Sequence, residues 1–234
     1  RGAYHASSSP PARIQRRMPT NGTRFKRHNL PRSRQRRPNM PSPSSAAPSA
    51  RACVDLIARA GKLKALRRAG WVQRGVRDAE SVAEHSWRVA LMTMLAADRD
   101  DACDSGRAVA MALVHDLAEA VVGDITPNDG VSDEEKAAME REAMGTMTAA
   151  LGARGEALMA LWEEYEAGES AEARLVKDMD KLEMIAQAME YETEENTGRG
   201  EDLEEFFEST RGRYRTATGE AWSEEIERRR PRAG

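Results

Sequence analysis

The chain has 234 residues, of which 40% are hydrophobic, 36 are Lys or Arg and 39 are Asp or Glu, enough apolar mass for one core of ordinary size. No run approaches the roughly 18 consecutive apolar residues of a membrane span, and two cysteines, Cys53 and Cys103, can build neither a disulfide framework nor a Cys-x-x-Cys zinc site, so they read as buried thiols in a reducing compartment. Eleven of the 36 bases and none of the 39 acids fall in residues 1–50, so residues 51–234 carry 25 bases against 39 acids, a net charge of −14, and so acidic a body is a poor partner for nucleic acid.

Residues 1–50 are rich in Arg, Ser and Pro and show no hydrophobic period. They are expected to be a disordered basic tail, because such a segment cannot bury enough surface to offset its ordering entropy. Arg-rich, acid-free N-termini also resemble organelle transit peptides, and clustered arginine also suits an anionic surface. The expected location is intracellular: the cytoplasm, or a mitochondrion or plastid if the tail is a transit peptide.

From Arg51 onward the chain reads as helices. Ser81-Val-Ala-Glu84 is a capping box opening a helix with Val89, Met92 and Ala96 on one stripe. Asp104 or Ser105 caps a second helix, predicted to run through Val109 and Leu113 and to stop at Gly123. Ser132-Asp-Glu-Glu135 opens a third, with Ala138, Met139 and Met147 on its apolar face. Leu158, Leu161, Trp162 and Tyr165 mark a fourth. After Gly168, the residues Leu175, Met179, Leu182, Ala186 and Met189 recur at helical spacing. Glu201 to Thr210 and Ala221 to Arg230 are weaker helical segments. No segment alternates like a strand, so the predicted class is all-α, with residues 51–234 as one helical domain.

Histidine is scarce, and only His85 and His115 of the four lie in the body. His115 is followed by Asp116, and Glu119 comes one turn later, on an adjoining part of the same helical surface. Asp124 follows Gly123 just beyond the predicted helix end. A lone helical histidine is usually a satisfied core or surface residue, and Lys177-Asp-Met-Asp-Lys181 passes for an exposed charge run. The apolar flanks Met111 to Val114 and Leu117-Ala118 shift the weight, since charges set in a buried helix need partners and a metal is an economical one.

The order His85, His115-Asp116, Asp180 resembles the signature of the HD-domain metal-dependent phosphohydrolases. The flanks Gly70-Trp71, Glu80-Ser-Val-Ala-Glu-His85, Ala112-Leu-Val-His-Asp116, Gly123-Asp-Ile125, Leu161-Trp-Glu-Glu-Tyr165 and Glu172-Ala-Arg-Leu-Val-Lys177 are similar to the eukaryotic HD domain-containing protein 2 group, relatives of the bacterial 5′-deoxynucleotidases. The similarity covers about residues 53–215. It implies an HD-domain helical bundle whose His85, His115, Asp116 and Asp180 bind a divalent cation (Mn, Co, Mg, Fe or Zn), and such a mixed nitrogen and oxygen set suits Mn, Co, Fe or Zn. It implies that Glu119 and Asp124 serve the chemistry, or hold a second cation with the backbone carbonyl of Ile125. Trp71 matches a residue that packs near the deoxyribose in the bacterial enzymes, but Gly70 stands where those enzymes have arginine. Arg74 or Arg77 is near enough in sequence to replace that charge, and Trp71 and Arg77 are the expected substrate-binding residues.

The expected activity is hydrolysis of deoxyribonucleoside 5′-monophosphates to deoxynucleoside and phosphate, by a homodimer that needs neither membrane nor nucleic acid. The alternatives are hydrolysis of a cyclic or alarmone-type nucleotide, and a non-catalytic nucleotide-binding regulator.

Overall fold

In the computed structural model, residues 47–96, 103–192 and 203–230 are described; the predicted tail, apart from residues 47–50, lies outside them. The first helix, α1 (Ala50–Ala60), starts one residue before the expected body, where the Ser49 hydroxyl accepts from the Ala52 amide at 3.1 Å. The short α2 (Ala69–Gln73) follows, then α3 (Val82–Ala96) and α4 (Ser105–Val114). Next come α5 (Glu119–Val122), α6 (Asp133–Thr148), α7 (Ala153–Ala167) and α8 (Ala171–Tyr191). The described chain ends with α9 (Glu204–Thr210) and α10 (Ala217–Arg229). Among the described residues there is no strand, and Arg67 and Ser81 form an isolated bridge. No helix among them is long and apolar enough to cross a membrane.

The capping signals act locally as the sequence suggests. Ser81 and Glu84 exchange hydrogen bonds at the start of α3, and Ser132 and Glu135 do so at the start of α6. Asp104, rather than Ser105, caps α4 by accepting from the Arg107 amide at 3.0 Å. Gly168 stops α7 in the left-handed conformation.

Three details differ from the sequence reading. The second predicted helix is two: α4 ends at Val114, residues 115–118 form tighter turns with i to i+3 bonds such as Leu117 N–H to Val114 O, and α5 then runs to Gly123, where φ is +83°. Met139, expected in the core, is 42% exposed, because Met144 and Met147 one to two turns on already fill the space against Trp162. Cys53 and Cys103 are half-buried rather than buried.

Helices α3, α4 and α8 pack on one another as the centre of the domain. Val89, Met111, Met179, Leu182 and Ile185 make their shared core, each fully or almost fully out of water. Each such side chain contributes about 1.5–3 kcal/mol by burial. A second core joins α6 and α7 to the Leu117–Ala120 turn through Leu117, Met144 and Trp162. Between the two cores the start of α3 and the end of α4 meet the middle of α8, and the charged residues gather there.

Candidate metal centre and active site

His85 projects from α3, His115 caps the C-terminus of α4, and Asp180 lies midway along α8. Their side chains meet around Asp116. His115 Nε2 is 3.1 Å and His85 Nε2 is 3.5 Å from Asp116 Oδ2, and His85 Nε2 is 3.2 Å from Asp180 Oδ1. Each imidazole is oriented from behind. His115 Nδ1 donates to the Ala112 carbonyl at 2.8 Å, and His85 Nδ1 lies 2.5 Å from Glu183 Oε2. A carbonyl and a carboxylate on the Nδ1 side leave both Nε2 atoms directed to one point, the arrangement outer-shell partners impose on metal-binding histidines. The remaining oxygen of Asp180 accepts from the Tyr165 hydroxyl at 2.7 Å.

This cluster fits a cation on its own geometry. His85 Nε2, His115 Nε2, Asp116 Oδ2 and Glu119 Oε2 are buried and have no hydrogen-bond partner. Buried polar atoms are rarely left so, and the group His85, His115 and Asp116 has one ligand atom from each within 4.8 Å of the others. The protonation pattern agrees. Burial and the neighbouring Arg68 oppose charging His85, yet Glu183 and Asp180 outweigh them and lift it to about 10. Burial also opposes charging His115, and Asp116 outweighs it. Asp116 is driven down to about 2 by the two histidines and Arg68 against its burial, and Asp180 is lowered likewise. Without a cation, protons on the imidazoles balance the carboxylates; with one, those protons leave.

Glu119 opens α5 and is 6% exposed. Burial first, then Asp116 and Asp124, push its carboxyl up to about 10, so it is protonated at neutral pH. Asp124 lies beyond the Gly123 turn and its Oδ2 accepts from the Ala69 amide at 2.6 Å, tying the loop to α2. The Ile125 carbonyl accepts from Lys136 Nζ at 3.1 Å. An ammonium therefore occupies one side of the carbonyl expected to take part in a second cation site.

Beside the cluster opens a cavity of about 370 Å³, lined by Arg68, Trp71, Asp124, Asn128 and Phe206 among others. Trp71 is 1% exposed; its indole N–H donates to Glu80 Oε1 at 3.0 Å, and its ring lies 4.3 Å from the Phe206 ring. Arg77 does not line this cavity and is exposed, since the Gly75 turn carries it past the end of α2. Arg74 does line it but is held by Glu205 of α9, to which its Nε and Nη2 both donate.

Sequence reasoning missed Arg68, Glu183, Tyr165 and Lys136. Glu183 had a signal, since it falls three residues after Asp180 on the same helix face. Arg68 had none: in Leu-Arg-Arg-Ala it reads as a surface base.

Comparison with known proteins gives a consistent result. An HD domain family model matches residues 60–222. The human protein 5′-deoxynucleotidase HDDC2 is 46% identical over 181 residues, 75% of this chain and 86% of its own length. A conserved hypothetical protein from Pyrococcus furiosus superposes with a TM-score of 0.61 at 35% identity, over 75% of this chain and 99% of that one. A structure titled as a predicted metal-dependent phosphohydrolase from Magnetospirillum magnetotacticum has a TM-score of 0.58 at 30% identity, covering 76% of this chain and 95% of that one.

Proposed function

Because the chain belongs to the HD-domain family, we infer that it is an enzyme, a metal-dependent 5′-deoxynucleotidase that hydrolyses deoxyribonucleoside 5′-monophosphates to deoxynucleoside and phosphate. The observation that carries the reading is the meeting of four buried, unpartnered polar atoms beside a cavity walled by Trp71.

We assign the cation to His85, His115, Asp116 and Asp180, a donor set open to Mn, Co, Mg, Fe or Zn. When bound, a divalent cation acidifies water and neutralises charge on the phosphoryl oxygens. The chain's own residues do the rest. Glu119, a buried carboxyl with one oxygen free of hydrogen bonds, is the group suited to exchange a proton with the reacting oxygens. Asp124 keeps one oxygen on the Ala69 amide and has the other for the reaction. A second cation held by Glu119, Asp124 and the Ile125 carbonyl has to share that carbonyl with Lys136. Trp71, locked by Glu80 and Phe206, forms a rigid wall for the sugar.

The assembly we propose is a homodimer. Helix α3 leaves Trp87, Leu91, Met94 and Leu95 exposed along one side, a stripe that a second copy would cover. Sedimentation of the parent and of Trp87→Ser should give dimer and monomer; a monomeric parent overturns this. We place the enzyme inside the cell, where nucleoside monophosphates are found.

The activity is tested by phosphate release from mono-, di-, tri- and cyclic nucleotides with several divalent metals. Release from dAMP that stops on chelation supports the reading. Cleavage confined to cyclic or pyrophosphorylated nucleotides contradicts it, as does binding without turnover.

A further inference from the structure

We propose that Arg68 is the residue that grips the substrate's phosphate and retains the phosphate product, an assignment that rests on the phosphomonoesterase reading. Its backbone is fixed at both ends. The Arg68 amide donates to the Glu80 carbonyl at 3.0 Å, and its own carbonyl accepts from the Trp71 and Val72 amides that open α2. Arg68 and Trp71 are thus parts of one rigid turn, so a group held by one is held at a set distance from the other.

The side chain is 16% exposed, lines the cavity, and reaches the cation cluster, with Nη1 at 3.6 Å from Asp116 Oδ2. That distance is outside hydrogen-bond range, and no described residue accepts a hydrogen bond from the guanidinium. The carboxylates of Asp116, Asp180 and Asp124 keep it charged against its burial. Its planar fork of donors, unspent on any described residue, opens on the cavity. A phosphate dianion lying between it and the cation would satisfy it, because two parallel N–H donors match two phosphoryl oxygens.

Other cations near the cavity are already engaged. Arg74 is bound to Glu205, Arg77 is outside the lining, and Lys136 donates to Ile125. Gly70, directly before Trp71, brings no charge of its own, and a Cβ there would meet the Phe206 ring at 3.5 Å, an ordinary contact. Arg68 delivers the charge to the same cavity from two residues upstream.

The rival role is purely electrostatic, a counter-charge that keeps the carboxylates of Asp116, Asp124 and Asp180 together. The experiment that separates the two uses the metal-loaded full chain and inorganic phosphate as probe, titrated calorimetrically into the parent, Arg68→Lys and Arg68→Ala, with metal content measured on each sample. Phosphate affinity should fall roughly 10- to 100-fold in Arg68→Ala, the worth of one or two charge-assisted hydrogen bonds. Arg68→Lys should fall between, because it keeps charge and loses the fork. Metal content should stay at the parent's level, KM for dAMP should rise with the phosphate Kd, and added guanidinium should partly restore Arg68→Ala. If Arg68→Ala does not fold, Arg68→Lys carries the same test. Phosphate affinity and dAMP KM within twofold of the parent in a folded variant would overturn the proposal. Failure of the underlying reading looks different: the parent itself would then release no phosphate from dAMP, while its affinity for inorganic phosphate would still report on Arg68.

Discussion

On the cation side of the site, three packed helices bring His85, His115 and Asp180 together, with both imidazoles wholly out of water and held from behind by Glu183 and Ala112. The cavity side is assembled from the five-residue α2, the loop after Gly123 and the seven-residue α9, and is joined by an exposed ion pair, Arg74 to Glu205, and by ring contact between Trp71 and Phe206. Buried helices with outer-shell bonds hold ligand geometry tightly, as metal chemistry needs. Short segments tied at the surface contribute less to the core, and an exposed ion pair is worth only about 0–1 kcal/mol. A change on the cation side should therefore end function, whereas a change on the cavity side should retune it.

Breaking the cation side gives the largest expected effect. His115→Ala should lose most bound metal and nearly all turnover, more than the roughly 10- to 100-fold that an outer-shell partner is worth. Full metal content by elemental analysis would reject the assigned site. Glu119→Ala removes a proton-transfer group while leaving the four assigned ligands. It should keep its metal and lose roughly 10²- to 10⁴-fold in kcat; a variant with parental kcat would remove Glu119 from the chemistry. Glu183→Ala should weaken metal affinity by about 10- to 100-fold, since His85 loses its orienting carboxylate. Unchanged affinity in a chelator competition would mean that the outer shell contributes nothing here.

The cavity side sharpens the contrast with smaller effects. Trp71 is too buried to be cut to Ala without cost, about 3–5 kcal/mol for a core Trp, so Trp71→Phe is the cleaner test. It should narrow the gap between dAMP and AMP with metal content unchanged, and an unaltered ratio would free Trp71 from the sugar. Glu80, which holds the Trp71 indole, has its carboxyl raised to about 7 by burial and by Glu183. Between about 4.5 and 7 the folded state keeps a proton that the unfolded state has lost, so this residue's contribution to stability falls as pH rises through that window, by at most about 3 kcal/mol. Glu80→Gln should flatten the fall of melting temperature with pH over that range, and parallel curves would contradict it.

The same contrast decides what the sequence made legible. Helix caps and apolar stripes are local, and the starts of α3, α4 and α6 follow from Ser81, Asp104 and Ser132. His115, Asp116 and Glu119 were readable because such residues are unusual in an apolar run, whereas His85 and Asp180 joined them only through the family resemblance. The break after Val114 was not, because no Gly or Pro marks residues 115–118, and their tighter turns show only in the i to i+3 bonds of the folded chain. Asp178 and Asp180 share one charge run yet diverge: Asp178 is buried and accepts from the Arg215 and Thr216 amides at the start of α10, while Asp180 faces His85. Spacing alone cannot tell a tether from a ligand. The approach of Arg68 to Asp116 and the covering of Trp71 by Phe206, about 135 residues downstream, are long-range pairings with no local mark.

The central claim is most directly tested by kcat/KM for phosphate release from dAMP and AMP by the metal-loaded protein, with a chelated sample alongside. The account predicts that dAMP is favoured by about 5- to 150-fold, the cost of burying the unpaired 2′-hydroxyl against Trp71, and that chelation abolishes both activities until a divalent cation is restored. Equal rates on the two nucleotides, or undiminished release in the chelator, would contradict it.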